Sequence, residues 1–218
     1  MASASSLRYR DGARAAVAVA ATVWFFGASF GLVARASGMG VLAPLVMSAT
    51  TFAGSAQFAA ASILGGSGAA LAAIAAAVLL NARYAPISIS VAPLFHGPRL
   101  RRLAEAQLIV DESWALSGRS GRFEYGILAG AGILLYVVWV GGTALGTVVG
   151  DLLDPNAIGL GAAFPALFLA LLAPYLRSRR ALVTALVAGT ITLALLPLAP
   201  AGVPIVVASL ACLIGLRR

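Results

Sequence analysis

Long apolar runs separated by short polar breaks dominate this chain. A helix needs about 20 mostly apolar residues to cross a bilayer. Charges and turn signals divide the sequence into seven such stretches, roughly 15–34, 39–64, 68–95, 124–149, 158–176, 181–197 and 201–216, of which the last two are short. The one long polar interval is 97–123, which holds Arg99, Arg101, Arg102, Arg119 and Arg122. Within it, residues 100–117 place Leu100, Leu103, Val110 and Trp114 on one helical face, which predicts a cytoplasmic or interfacial helix rather than a crossing. The expected fold is all-α: a single transmembrane domain over 1–218 with about seven transmembrane helices.

Composition sharpens that reading. Of 218 residues, 61% are apolar, another 24 are Gly and 10% are charged, against about 25% charged in a soluble domain. The mean hydropathy is +0.99. So few polar groups cannot cover the surface of a soluble domain. A soluble enzyme, a disordered chain and a disulfide scaffold are excluded, the last because Cys212 is the single cysteine. All 15 basic residues are Arg, so no Lys can grip nucleotide phosphates or form a Schiff base. One histidine, His96, excludes a multi-His metal site within the chain. No cofactor is expected. Arg8, Arg10 and Arg14 precede a long apolar run without a short apolar core and cleavage site, so no removable signal peptide is expected.

The net charge of +8 reports loop orientation rather than nucleic-acid binding. The basic interval 97–123, the group Arg177, Arg179 and Arg180, and the tail Arg217-Arg218 are expected to face the cytoplasm, with Asp151 and Asp154 opposite. Seven plain crossings leave Arg8, Arg10 and Arg14 outside. If segment 39–64 instead dips in and returns, only Arg35 lies outside, which the charge rule favours. A repeat pulls the other way. Trp24-x-x-Gly27-x-x-x-Gly31 recurs as Trp139-x-x-Gly142-x-x-x-Gly146 at an offset of 115 residues. Three crossings per copy, over 15–95 and 124–197 joined by 97–123, turn the second copy upside down and leave one C-terminal helix. That is the inverted-repeat plan of many secondary transporters, and it is the arrangement expected here.

Polar residues inside apolar stretches mark the candidate chemistry. Gly54 and Ser55 weaken a helix in the middle of 39–64, and Gln57 is costly in hydrocarbon. They predict a broken helix whose freed backbone groups and Gln57 amide meet a polar ligand; the same residues also suit a close helix–helix contact. Arg83, flanked by Asn81 and Tyr84, lies about 22 Å from Gly68 and about 18 Å from Phe95 along a helix. At that depth Arg costs at least about 2.5–3.5 kcal/mol. It needs an anion, carbonyls or a water-filled cavity, as a carboxylate-binding group or as a structural ion pair. Asp111-Glu112-Ser113 interrupts an apolar stretch. Helical spacing puts Glu112 with Arg101 and Glu105, and Asp111 beside Leu108 and Ala115. An acid there can couple a proton, or balance Arg83 or a substrate ammonium; for Glu112 a solvated loop helix with local ion pairs is the plainer reading. Gly65-Gly-Ser67-Gly fits the pattern of an intramembrane serine protease, but its base would have to be His96, about 40 Å away along one helix. A flexible turn is expected instead.

These stretches together resemble the AzlC/YgaZ family, the large subunit of branched-chain amino acid exporters. The matching pieces are Phe26-Gly27-Ala-Ser-Phe-Gly31, Phe52-Ala-Gly-Ser-Ala-Gln-Phe58, Asn81-Ala-Arg83-Tyr84, Asp111-Glu112-Ser113, Trp139 with its glycines, and Phe164-Pro-Ala-Leu-Phe168. They occur in the family's order over residues 20–180; Ala82 stands where Leu is usual. The resemblance implies export of valine, leucine, isoleucine and sometimes methionine across the bacterial inner membrane, driven by the proton gradient, with a small hydrophobic subunit of the AzlD/YgaH type. The residues are compatible. Arg83 and the N–H groups at Gly54 and Ser55 suit a carboxylate, Gln57, Asn81 or Asp111 an ammonium, and Asp111 and Glu112 proton coupling. A scaffold or coupling subunit that transports nothing alone is the competing reading.

Overall fold

In the computed structural model, residues 4–119, 122–150, 169, 172–173, 176–199, 203–211 and 213 are described. The expected segment 158–176 lies largely outside them, as do the ends of 201–216. The elements in chain order are α1 (Ala4–Ala36), α2 (Leu42–Thr50), α3 (Gly54–Gly65), α4 (Ala70–Asn81) and α5 (Tyr84–Val91), which tightens into a 3-10 turn at Ala92–Leu94. Then come α6 (Arg99–Ala106), α7 (Asp111–Ser117), a hairpin of β1 (Gly118–Arg119) and β2 (Arg122–Phe123), α8 (Tyr125–Val149), α9 (Arg179–Leu195) and α10 (Val203–Ala208). The hairpin pairs Gly118 with Phe123 and Arg119 with Arg122; the rest of the described chain is helical, turn or loop. Among the described residues two helices, Arg8–Ala36 and Tyr125–Val149, are long and apolar enough to cross a bilayer, and the bent pair of α4 with α5 and its 3-10 turn makes a third if it counts as one span.

The frame is the pairing of α1 with α8, and glycines make it close. A Cβ on Gly27 would overlap the Trp139 carbonyl, and one on Gly31 the Thr143 carbonyl; reciprocally, Gly142 abuts the Trp24 carbonyl and Gly146 the Ala28 carbonyl. The two copies of the Trp-x-x-Gly-x-x-x-Gly motif therefore dock on each other. Small residues let backbones approach in this way where lipid offers no hydrophobic drive. Farther back, Gly12 meets Ile127 and Gly130 meets Tyr9. Arg8 pairs with Glu124 at 3.3 Å.

Those contacts correct the expected topology. Partners keep nearly the same offset from one end of the pair to the other, so α1 and α8 run in the same direction and begin on the same side. Inverted copies would run antiparallel. The parallel run does not fit a three-plus-three inverted plan for these two helices. Gly142→Ala tests the pairing. Alanine's better helix propensity adds about 1 kcal/mol, yet forcing two backbones apart costs about 1–3 kcal/mol. The expected outcome is a lower thermal midpoint in detergent, whereas exposed Gly141, with nothing within 4 Å of its would-be Cβ, gains stability on the same change.

Both intervening segments are broken. In 39–64 the break falls at 51–53, three residues before the expected glycine, with Phe52 at φ +43°. Its ring packs on Tyr136 at 5.3 Å and Trp139 at 6.5 Å, which holds the residue in a conformation that ordinarily favours glycine. Segment 68–95, expected as one helix, bends by 43° between Asn81 and Tyr84. Pro86 explains it: proline has no N–H for the Ala82 carbonyl, and its ring crowds that carbonyl.

The expected helix 100–117 is also two helices. Ile109 and Val110 are buried in the bundle, so the chain turns inward after α6. The Ser113 hydroxyl accepts the Val110 N–H at 3.0 Å and donates to the Leu108 carbonyl at 2.7 Å, which fixes the turn. A Cβ on Gly132 would overlap that same Leu108 carbonyl. α7 is lodged beside α8, about a third of the way along it.

Candidate functional site

Three chain interruptions converge near the middle of α8. That helix is about 37 Å long at 1.5 Å per residue, and Trp139 lies two residues past its midpoint. A Cβ on Gly54 would stand 2.8 Å from the Trp139 ring, which sets the start of α3 at this depth. Arg83 sits in the α4–α5 break, and Asp111 opens α7.

The Arg83 Nη2 donates to the Ser55 hydroxyl at 3.2 Å and pairs with Asp111 Oδ2 at 3.0 Å. Its guanidinium lies 5.2 Å from the centroid of the Tyr84 ring, within cation–π range. The side chains of Arg83 and Asp111 keep 39% and 32% of their surface accessible, so the pair is not sealed in a dry core. It borders a cavity of about 360 Å³ whose polar lining includes Ser55, Arg83, Tyr84, Asp111 and Glu112 and whose apolar walls include Phe26, Phe58, Leu135 and Trp139. That volume is in the range of small-molecule sites. A site with one cation, one or two carboxylates, a helix N-terminus and apolar walls has complementary parts for a zwitterion with an aliphatic tail.

Five of the seven residues singled out in the sequence meet here: Gly54, Ser55, Arg83, Asp111 and Glu112. Asp111 pairs with Arg83, one of the partners the sequence allowed it. The predicted face shared by Glu112, Arg101 and Glu105 does not exist, because the break at Gln107–Val110 rotates α7 away; Arg101 pairs with Glu105 alone, at 2.7 Å.

Gln57 and Asn81 lie elsewhere. Gln57 is wholly buried. Its Oε1 accepts the Ala53 N–H at 3.1 Å, and its Nε2 donates to the Ser48 hydroxyl at 2.8 Å. Ser48 in turn meets Thr143 Oγ1 at 2.9 Å and accepts the Trp139 indole N–H at 3.2 Å. Gln57 thus knits α2, α3 and α8 together and satisfies the backbone at the 51–53 break. Asn81 lines a separate apolar groove of about 620 Å³ between α3 and α4, and its buried Oδ1 has no hydrogen-bond partner among the described residues. That groove is larger but carries no charged group, so the Arg83 cavity is the one equipped for a charged ligand. Ser67 and His96 lie at opposite ends of the bent α4–α5 pair; Ser67 occupies an exposed turn and His96 Nδ1 lies 3.1 Å from the Leu94 carbonyl. No serine–histidine dyad forms.

Nothing in the hydropathy pattern marks Gln107. Where α2 ends at Thr50, its last carbonyls have no intrahelical donors and need others. Gln107 Nε2 donates to the Thr50 carbonyl at 2.9 Å and the Ala49 carbonyl at 3.3 Å, and the Tyr136 hydroxyl donates to Ala49 at 2.9 Å. Gln107→Ala is expected to destabilise the fold by about 0.5–1.5 kcal/mol, the net worth of the hydrogen bond lost at Thr50, since Tyr136 still serves Ala49, read as a lower melting point with no change in substrate selectivity.

Comparison with known proteins places this architecture. A family model described as "AzlC protein" matches residues 18–153, a span that takes in all the polar cavity residues named above. A Bacillus subtilis (strain 168) protein described as "Branched-chain amino acid transport protein AzlC" is 28% identical over 153 residues, which is 66% of this chain and 59% of that protein. The match thus spans less than two thirds of that relative's length. An uncharacterized membrane protein of Archaeoglobus fulgidus is 33% identical over 161 residues, 69% of this chain and 68% of the relative. No solved structure matches.

Proposed function

The chain belongs to the AzlC family, and from that membership we propose that it is the large subunit of a secondary transporter that exports branched-chain amino acids from the cytoplasm. The observation that carries the reading is the Arg83–Asp111 pair at mid-depth, exposed to a cavity with apolar walls. A zwitterion opens such a pair without leaving either charge alone. Its carboxylate takes Arg83 and the N–H groups at the start of α3, and its ammonium takes Asp111. The aliphatic side chain lies against Phe26, Phe58 and Leu135. An apolar pocket discriminates one methylene by only about 1–3 kcal/mol, so valine, leucine, isoleucine and methionine compete for it.

Asp111 and Glu112 are the proton-coupling groups in this reading, and export runs down the proton gradient. The protein works in the bacterial inner membrane with its C-terminus in the cytoplasm. A small hydrophobic subunit of the AzlD type completes it. The exposed apolar face of α4, with Leu71, Ile74 and Val78, beside the groove that holds Asn81, suits that partner.

Counterflow of labelled leucine in proteoliposomes, with and without a co-expressed small subunit, tests the proposal. Leucine exchange that competes with valine and isoleucine is expected. Failure of every combination to move any amino acid gives the scaffold reading instead.

A further inference from the structure

We propose that the slot between α6 and the end of α5 binds the headgroup and upper chain of an anionic glycerophospholipid. The slot has a volume of about 340 Å³ and lies where the chain leaves α5 for the polar interval. It is lined by apolar Ala92, Phe95, Leu103 and Ile109 and by the two arginines Arg99 and Arg102.

The arginines of α6 divide by role. Arg101 is taken: its Nε donates to Glu105 Oε1 at 2.7 Å, and the Tyr125 hydroxyl donates to the same oxygen at 2.8 Å. The hydrogen bond from Arg101 holds the Glu105 carboxyl below its ordinary value against the opposing effect of desolvation. Arg99 and Arg102, one helical turn apart, have no carboxylate partner among the described residues and are exposed. Two uncommitted guanidiniums on one face present a bidentate site for a phosphodiester.

The same helix has an unpartnered apolar side. Leu100 is 82% exposed and Leu103 69%, on an otherwise charged helix. A short helix of that kind lies in the membrane interface, with its leucines in the acyl region and its arginines at headgroup level. A free inorganic anion would use the arginines and leave the apolar lining empty. An acidic peptide would use the charges but has no need of a greasy slot directed toward the bilayer. A lipid uses both.

The test is lipid retention by the full chain in neutral detergent, counted by native mass spectrometry after exposure to phosphatidylglycerol or phosphatidylcholine. Wild-type protein is expected to keep one phosphatidylglycerol and to prefer it about tenfold, on the scale of interfacial arginine–lipid attraction. The Arg99→Gln/Arg102→Gln variant should lose the preference while its melting point in lipid-free detergent is unchanged, since both side chains are exposed. Ala106→Trp, which fills the slot but keeps both charges, should lose the lipid too. Equal retention of the two lipids, retention unchanged in either variant, or displacement of phosphatidylglycerol by millimolar inorganic phosphate or by an acidic peptide would overturn the proposal.

Discussion

Replacing Arg83 by Ala is expected to abolish leucine counterflow while the protein still inserts and folds. A charge-assisted hydrogen bond contributes about 1.5–3 kcal/mol, and a carboxylate held by two of them loses roughly 10²- to 10⁴-fold in binding when the cation goes. Folding survives because the Asp111 side chain keeps 32% of its surface accessible, so water in the cavity solvates the carboxylate left behind. Arg83→Lys separates geometry from charge. A lysine ammonium keeps the charge but cannot span Ser55, Asp111 and a carboxylate from one planar fork, so flux should fall nearly as far. The control is Arg83→Ala combined with Asp111→Ala. If that double variant transports as poorly as the single one but melts higher, the pair is a site and not merely a strut. Wild-type exchange in Arg83→Ala would remove Arg83 from the substrate path.

The membrane class and the polar residues that line the Arg83 cavity were legible because both rest on cost. Apolar runs of this length have no other stable home, and an arginine in the middle of one demands compensation. What compensates it was not legible. Asp111 was readable as a partner only as one option, because a helical projection across 100–117 assumes that the helix continues, and it does not. The inward turn comes from Leu108-Ile109-Val110 seeking the core and from Ser113 closing the freed backbone groups, a local competition that periodicity averages away. The bend beside Arg83 had a visible cause in Pro86, four residues after the carbonyl it disrupts. Gln57 shows the opposite failure. A polar side chain in an apolar run signals a satisfied group without saying by whom, and here the partners are Ala53 and Ser48 rather than a ligand. The Trp-x-x-Gly-x-x-x-Gly repeat was visible as a repeat, but its sense was not. Motif spacing is the same for parallel and antiparallel copies, and only the overlap of each glycine with the other copy's carbonyls reveals the direction.

Changing Asp111 to Asn is expected to spare leucine exchange and to remove accumulation driven by pH. Asparagine keeps the size and one carbonyl acceptor, so an ammonium still finds a partner, and with labelled leucine on both sides exchange requires no net proton movement. Uphill movement is different. A carboxylate that alternates between Arg83, the substrate ammonium and a proton links the three, because protonation releases Arg83 and the ammonium together. Lower pH on the side facing the cavity therefore weakens substrate binding there, and higher pH strengthens it. Asparagine cannot take part at any pH. In proteoliposomes with an imposed gradient of one pH unit, worth about 1.4 kcal/mol, one proton per leucine sustains up to about a tenfold leucine asymmetry. The wild type should approach that limit, and Asp111→Asn should show none while its exchange rate stays within a few fold. Glu112→Gln identifies the carrier: if it, rather than Asp111→Asn, abolishes accumulation, the proton travels on the neighbouring carboxylate. Accumulation that persists in both variants means the driving ion does not pass through this cavity at all.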